Sequence, residues 1–306
     1  MNNISFFMFI KNVIFSPHSL NSKWNNKKFR FMYILRSTLH PLVTLRYYKD
    51  LCALNSASKI LTLQPALPAK IHRPYLYKGG KVSSRACDII EHYRFIENLP
   101  VKLKFIFLSD ENILLAAFRG KYNERFYVYI SSSGFDREGE LMLSLYLEDT
   151  VVARLSFSFI RTHAGSTAFI GGLQGAEKGV GQEFIRYATK ACHGLFPKRV
   201  LYEVFCLLNR TCGINDFIAV SENNHVFKQL RYRYQKRKMF VALYSDFWES
   251  VGGEVNNGFY RLNTHTERKP LSDIASKKRS EYRRRYALLD NIEKEITLLL
   301  KSVREI

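Results

Sequence analysis

Most signatures that assign a chemistry at sight are missing from this 306-residue chain. Its five cysteines (Cys52, Cys87, Cys192, Cys206, Cys212) form no C-x-x-C pair, and an odd total leaves one unpaired under any disulfide scheme, which points to a reducing compartment. No stretch reaches the ~18 to 20 apolar residues a spanning helix requires. The apolar start Ile4 to Ile10 has no basic residue before it, is broken by Lys11 and meets no small-residue cleavage pattern, so it does not read as a signal peptide. The first fifteen residues read as a packed strand or helix in preference to an interfacial anchor. Eight scattered His residues, with no H-E-x-x-H and no Cys/His ligand spacing, lead to no expected metal site. G-x-S-x-G and G-K-[ST] are absent too, which removes the serine-hydrolase elbow and the NTP-type loop. No internal repeat or low-complexity tract is present.

What the chain has is apolar and aromatic mass together with an excess of cations. Hydrophobic residues make up 46% of it, enough for a substantial core, and 23 Phe with 18 Tyr suit sheets and interfaces. The net charge of +20 is unevenly spread. Residues 1–106 carry 17 Lys/Arg against 4 Asp/Glu and residues 228–285 carry 15 against 6, whereas 107–227 carry 12 against 13. A neutral middle between basic arms implies a polyanionic partner.

The apolar spacing predicts helix over 28–62, broken near Pro41, then a Pro/Gly-rich connector to Lys81, then a helix capped by Ser83 or Ser84 and ended before Pro100. Strand-length runs follow: Leu103–Leu108, Ile113–Phe118, Phe126–Ile130, Leu141–Leu147, Val151–Phe159 and Ala168–Ile170. After Gly181 the period turns helical, and a second helix from Pro197 has Gly213 as its C′ residue. A strand Phe217–Val220, a short basic helix, a strand Met239–Tyr244 and a long tail helix from Ser276 to Glu305 complete the pattern. The expected class is α+β: an antiparallel or mixed sheet with N-terminal helices and a long basic C-terminal helix. The segments are 1–100, 101–275 and 276–306 within one compact domain.

Four groups of residues are candidates for function. Gly171, Gly172, Gln174, Gly175, Gly179 and Gly181 precede a helix and could cradle a phosphate, although a tight strand-to-helix turn is the plainer reading. Glu138 and Glu140 flank Gly139, where one could act as a base with its pKa raised by the other; a solvated turn is the plainer reading. Lys277, Lys278, Arg279, Arg283, Arg284 and Arg285 crowd the unfavourable end of the tail-helix dipole and call for an anion. An anionic lipid leaflet or an anionic protein partner fits them. The cations Lys228, Arg231, Arg233, Lys236, Arg237 and Lys238, interleaved with Tyr232 and Tyr234, suit single-stranded nucleic acid or a charge-protected edge strand, and rank second. No cofactor is called for by the main reading.

The order of meander, glycine loop, helix, strand, helix and strand resembles the GCN5-related acetyltransferases, and Lys178-Gly179-Val180-Gly181 is similar to part of their pyrophosphate signature. That resemblance implies acyl-CoA as cofactor; Ala176 stands where that family has Gln or Arg. A second resemblance covers more of the chain. Ser276-Lys-Lys-Arg-Ser-Glu-Tyr-Arg-Arg-Arg-Tyr-Ala-Leu-Leu-Asp290 resembles the terminal signature of the VirK/YbjX family of Gram-negative bacteria. Arg73-Pro-Tyr-Leu76, His92-Tyr93, Glu138-Gly-Glu-Leu141, Phe169-Ile-Gly-Gly-Leu-Gln-Gly175 and Asp246-Phe-Trp248 agree in order. Phe196 departs from the Arg usual there. This resemblance implies a virulence-associated cytoplasmic protein, peripheral to the inner membrane, that supports envelope remodelling and resistance to cationic antimicrobial peptides. Its implied partners are anionic lipid or an envelope-biogenesis protein.

Overall fold

The computed structural model describes residues 6–20, 22–177, 179–228 and 244–301. The chain opens with helices α1 (Phe6–Phe15), α2 (Lys27–Leu39), α3 (Pro41–Cys52) and α4 (Ala57–Leu63). Pro41 ends one helix and starts the next because its missing N–H costs nothing in a first turn. A 3-10 turn, Leu67–His72, leads to α5 (Val82–Glu97) and α6 (Val101–Phe107). Two expectations change here. Lys81, not a serine, sits at the N-cap of α5 and makes no side-chain capping bond. Residues 103–107 are helical and Leu108 caps them: Leu103, Ile106 and Phe107 are buried at helical spacing, so an apolar run of strand length is here one face of a helix.

Strands β1 (Ile113–Arg119), β2 (Arg125–Ser132), β3 (Leu141–Leu147), β4 (Thr150–Thr162) and β5 (Gly165–Gln174) form an antiparallel meander. Helices α7 (Gln182–Ala191) and α8 (Pro197–Thr211) then carry the chain across to β6 (Phe217–Val220), which runs parallel to β5. After α9 (Ser245–Ser250), a hairpin of β7 (Glu254–Asn256) and β8 (Phe259–Leu262) completes the eight-stranded sheet, in the order β1-β2-β3-β4-β5-β6-β8-β7. The sheet is therefore mixed, with N-terminal helices and the tail helix α10 (Ser276–Lys301), as the sequence pattern implies.

One main core packs α5, α6, α8 and α10 against the sheet around Phe157, Phe159, Phe205 and Phe217. A satellite core under α1 and α2 is built on Phe9, Val13, Trp24, Tyr33 and Tyr48. Gly213 takes φ +77° just past α8, where its amide bonds Arg210 O and that of Ile214 bonds Asn209 O, the left-handed helix end expected of it. The tail helix turns Leu289, Ile292 and Ile296 inward, and Glu295 Oε2 accepts the Ala117 amide on edge strand β1 at 2.8 Å. The predicted strand 239–244 and all of the basic group 228–238 except Lys228 lie outside the described residues, apart from Tyr244.

Candidate functional site

The glycine cluster divides into a closed half and an open half. Strand β5 is longer than its apolar core Ala168–Ile170 suggests, so Gly171, Gly172 and Gln174 belong to a strand and not to a loop. Its register with β4 slips between Ser156 and Phe157, which leaves Gly171 as an extra residue, a bulge. Over this bend runs the β2–β3 connection. A Cβ on Gly171 would overlap the backbone of Glu138, one on Gly172 would overlap the Glu138 carboxylate, and one on Gly139 would overlap the backbone of Phe157. Three glycines thus let two backbones touch. Gly175, Gly179 and Gly181 are different: only Lys198 Cε comes within 4 Å of a Cβ there, at 3.9 Å from that of Gly175, and Gly179 has φ +96°. This open loop feeds the N-terminus of α7, which has no side-chain cap.

Glu138 and Glu140, expected in a solvated turn, are both 1% exposed. They do not share a site; each anchors its own polar network. Glu138 accepts from Gln174 Nε2 at 2.9 Å and faces His225 Nε2 at 3.4 Å. The Phe227 amide donates to His225 Nδ1 at 3.2 Å, which leaves Nε2 to carry the proton toward Glu138. The Tyr244 ring lies 5.6 Å from that of His225, and burial, reinforced by Glu138, pushes its hydroxyl well above the ordinary phenol range; the hydroxyl also meets the Leu173 backbone. Trp248 Nε1 donates to Val220 O, the last carbonyl of β6, at 3.0 Å. Glu222 accepts the amides of Tyr244 and Ser245, the latter at 2.6 Å, and so draws the start of α9 to the end of β6. These residues collect where β5 and β6 part, since the two strands keep register only from Ala168–Phe217 to Ile170–Ala219.

Glu140 pairs with Lys70 at 2.5 Å and accepts from Tyr93 Oη at 2.9 Å and Gln64 Nε2 at 2.8 Å. Its amide donates to Ser158 Oγ, which also meets Tyr75 Oη at 2.9 Å. Burial would raise the Glu140 carboxyl, but Lys70 and His92 outweigh it and hold the group below its usual range. The expected mutual repulsion of Glu138 and Glu140 is overturned because a lysine neutralises one of them. His92 accepts the Phe159 amide at 3.1 Å, and burial lowers its pKa to about 3.

The cations at the entrance of α10 divide as well. Arg279 donates to Ile274 O and Ser272 O, and Arg285 donates twice to His193 O while lying 4.2 Å over the Tyr282 ring. Those two dock the helix on carbonyls. Lys277, Lys278, Arg283 and Arg284 are exposed and make no ion pair with a described residue. No group of three His, Cys, Asp or Glu among the described residues is placed to hold a metal, and no described helix is long and apolar enough to cross a membrane.

Composition and spacing alone did not single out Lys70, Gln64, His225, Tyr244 or Lys198. Each is far in sequence from the residue it serves, so no local pattern marks it. Tyr75 and Tyr93 do fall in the short blocks that carry the family resemblance.

Fold and site together define an α+β protein with a helical crossover between parallel strands and two buried carboxylate networks at one bend of the sheet. The chain belongs to the DUF535 family, described as a protein of unknown function, whose model matches residues 22–297; this is the VirK/YbjX family. It is 36% identical over 283 residues to the uncharacterized protein YbjX of Escherichia coli (strain K12), covering 91% of this chain and 86% of that one. An uncharacterized protein of Haemophilus influenzae is 34% identical over 144 residues, 47% of each chain.

Proposed function

We propose that the chain is an acyl-CoA-dependent acyltransferase whose reacting groups meet where β5 and β6 part. The observation that carries this reading is the parallel β5–β6 pair, which holds for three residue pairs and then diverges at the Gly171 bulge beside a glycine loop open to solvent. Diverging strands leave amides and carbonyls unpaired with each other, and those not taken from within, as Val220 O is by Trp248, are what an extended, amide-bearing chain such as pantetheine would meet. The open glycines let a pyrophosphate approach the first amides of α7, with the Lys198 side chain beside Gly175. Glu177 and Glu183 border the same loop and Ala176 replaces the usual Gln or Arg; among the described residues Lys198 is the cation that comes within 4 Å of a Cβ at Gly175.

Acyl-CoA, when bound, supplies an activated acyl thioester. Glu138, oriented by Gln174 and by the Nε2–H of His225, takes a proton from the acceptor, and Tyr244, kept neutral by burial, donates one to the departing group. The envelope remodelling and peptide resistance implied by the family resemblance suit an acceptor in the cell envelope. Calorimetry and melting curves with acetyl-CoA and long-chain acyl-CoA test the reading. A ligand at 100 times its Kd adds about 2.7 kcal/mol to stability, which a melting curve resolves. No heat and no shift with any acyl-CoA overturns it; Glu138→Gln and Tyr244→Phe should keep binding and lose transfer.

A second reading is favoured by the exposure of Lys277, Lys278, Arg283 and Arg284: the entrance of α10 docks on an anionic lipid surface or an envelope-biogenesis protein. The nucleic-acid reading rests on residues 228–238, which apart from Lys228 lie outside the described residues.

A further inference from the structure

The N-terminal helices carry a surface that acyl transfer leaves unused. Helix α1 buries Phe9 and Val13 and turns Phe7, Met8, Ile14 and Phe15 to solvent, with Lys11 on the same arc. Helix α2 buries Tyr33 and Ser37 and exposes Phe31, Leu35 and Leu39 one turn apart, a stripe that Leu42 continues into α3. Phe7 is 79%, Phe15 76% and Leu42 80% exposed. Isolated exposed apolar residues are ordinary, but eight large ones concentrated on three successive helices are more than scatter. Up to the end of α3 the chain holds eight Lys/Arg against one acid, Asp50. Apolar faces fringed with cations are the composition of a helix that lies in an anionic membrane interface.

Along the flank of α2 next to that stripe is a cavity of about 240 Å³ lined by Lys28, Arg36, His72, Arg73 and Arg137, with Asn26 and Met32 among its other walls. Arg36 is steadied by the His72 carbonyl at 3.2 Å. Arg73 pairs with Asp136 at 3.0 Å, and Arg137 stands 3.9 Å from the same carboxylate. Asp136 does not line the cavity, so its wall holds four cations and no acid. His72 is 7% exposed; its Nε2 meets Ser37 and Thr44, and its Nδ1 is buried without a hydrogen-bond partner. Thr44 Oγ1 donates to His40 O, so it accepts from Nε2, and Nδ1 is left as an unused acceptor. A phosphate ester answers each of these features: its anionic oxygens suit the guanidinium forks and Lys28, and its hydroxyl can donate to Nδ1.

We propose that this cavity seats the phosphate headgroup of an anionic lipid while the outer faces of α1 and α2 enter the bilayer surface. Sequence adjacency makes the two parts one device, since Lys28, Met32 and Arg36 line the cavity from the same helix that exposes Phe31 and Leu35. The assignment does not depend on acyl-CoA binding and survives its failure.

The test is co-sedimentation of the full chain with phosphatidylcholine vesicles, neutral or doped with phosphatidic acid, alongside melting curves with glycerol 3-phosphate. Binding to the doped vesicles alone is expected. Lys28→Gln with Arg36→Gln should weaken it roughly tenfold or more, as each cation near the surface contributes ~1 kcal/mol. Phe31→Ser with Leu35→Ser should abolish vesicle binding yet leave stabilisation by glycerol 3-phosphate. Lys28→Gln alone, at an exposed position, guards against loss through misfolding. Equal binding to neutral vesicles overturns the proposal, as does binding lost only in Arg283→Gln with Arg284→Gln. Stabilisation by glycerol 3-phosphate without vesicle binding would mark a soluble phosphate site and overturn the lipid assignment.

Discussion

Lys70 and Glu140 are 4% and 1% exposed, and a charge so placed is tolerable only with its partner. Lys70→Met leaves a buried carboxylate and should cost about 3 to 5 kcal/mol, read by urea unfolding. Lys70→Met with Glu140→Gln removes both charges and should cost less than the two single changes added together. The buried histidines fix the pH dependence. Burial, then His40, Arg36 and Arg85, lowers His72 to about 4, and His92 lies at about 3. Both stand below the unfolded value of about 6.5, so the unfolded chain binds more protons in between. Stability should be full above about pH 6.5 and fall toward pH 4 by about 1.4 kcal/mol per pH unit for each histidine. Glu140, also depressed, adds its loss in the same direction at the acid end of that range. Urea melts from pH 7.5 down to 4.5 measure the slope, and His92→Asn, which keeps an acceptor for the Phe159 amide, should flatten it. A slope unchanged by that substitution would refute the assignment.

At the scale of elements, the two halves of the glycine cluster should respond in opposite ways. Gly171→Ala drives a methyl into the backbone of Glu138 and should destabilise by more than about 3 kcal/mol, whereas Gly181→Ala meets open space and should stay within about 0.5 kcal/mol. Melting temperatures of the pair decide this. The tail helix offers a second case: Ile296 is fully buried, and Ile296→Ala should cost about 2 to 5 kcal/mol, measured in the same way. Most elements were legible because their apolar period was clean: the meander strands alternate, and the stripe of α10 repeats over the whole tail. Where period failed, the reason is physical. Residues 101–108 satisfy both a strand and a helix pattern, and only packing against β2 chooses. Glycines that look like a turn are a strand because another backbone lies on them, and that backbone is Glu138, more than thirty residues away. The carboxylates looked solvated for the same reason: Lys70, Gln64 and His225 are invisible to any local window.

For the whole molecule, charge distribution was readable and its allotment was not. The basic arms are where the sequence puts them, yet Arg279 and Arg285 serve helix docking, and four neighbours remain outward. Association with an anionic surface should therefore weaken steeply between low and physiological salt, as exposed charges are screened within ~8 Å at 0.15 M. Lys277→Glu with Arg283→Glu should weaken it at low salt and have little effect on the melting temperature; surface-plasmon measurements across a salt series check this.

Glu138-Gly139-Glu140 joins the two buried networks by a very short span. One carboxylate is fastened to Lys70 and Tyr93, the other to Gln174 and His225, and the glycine between them lies against Phe157 with no slack. Such a rivet cannot loosen at one end alone. A load that parts β5 from β6 therefore falls on the same three residues that hold Lys70.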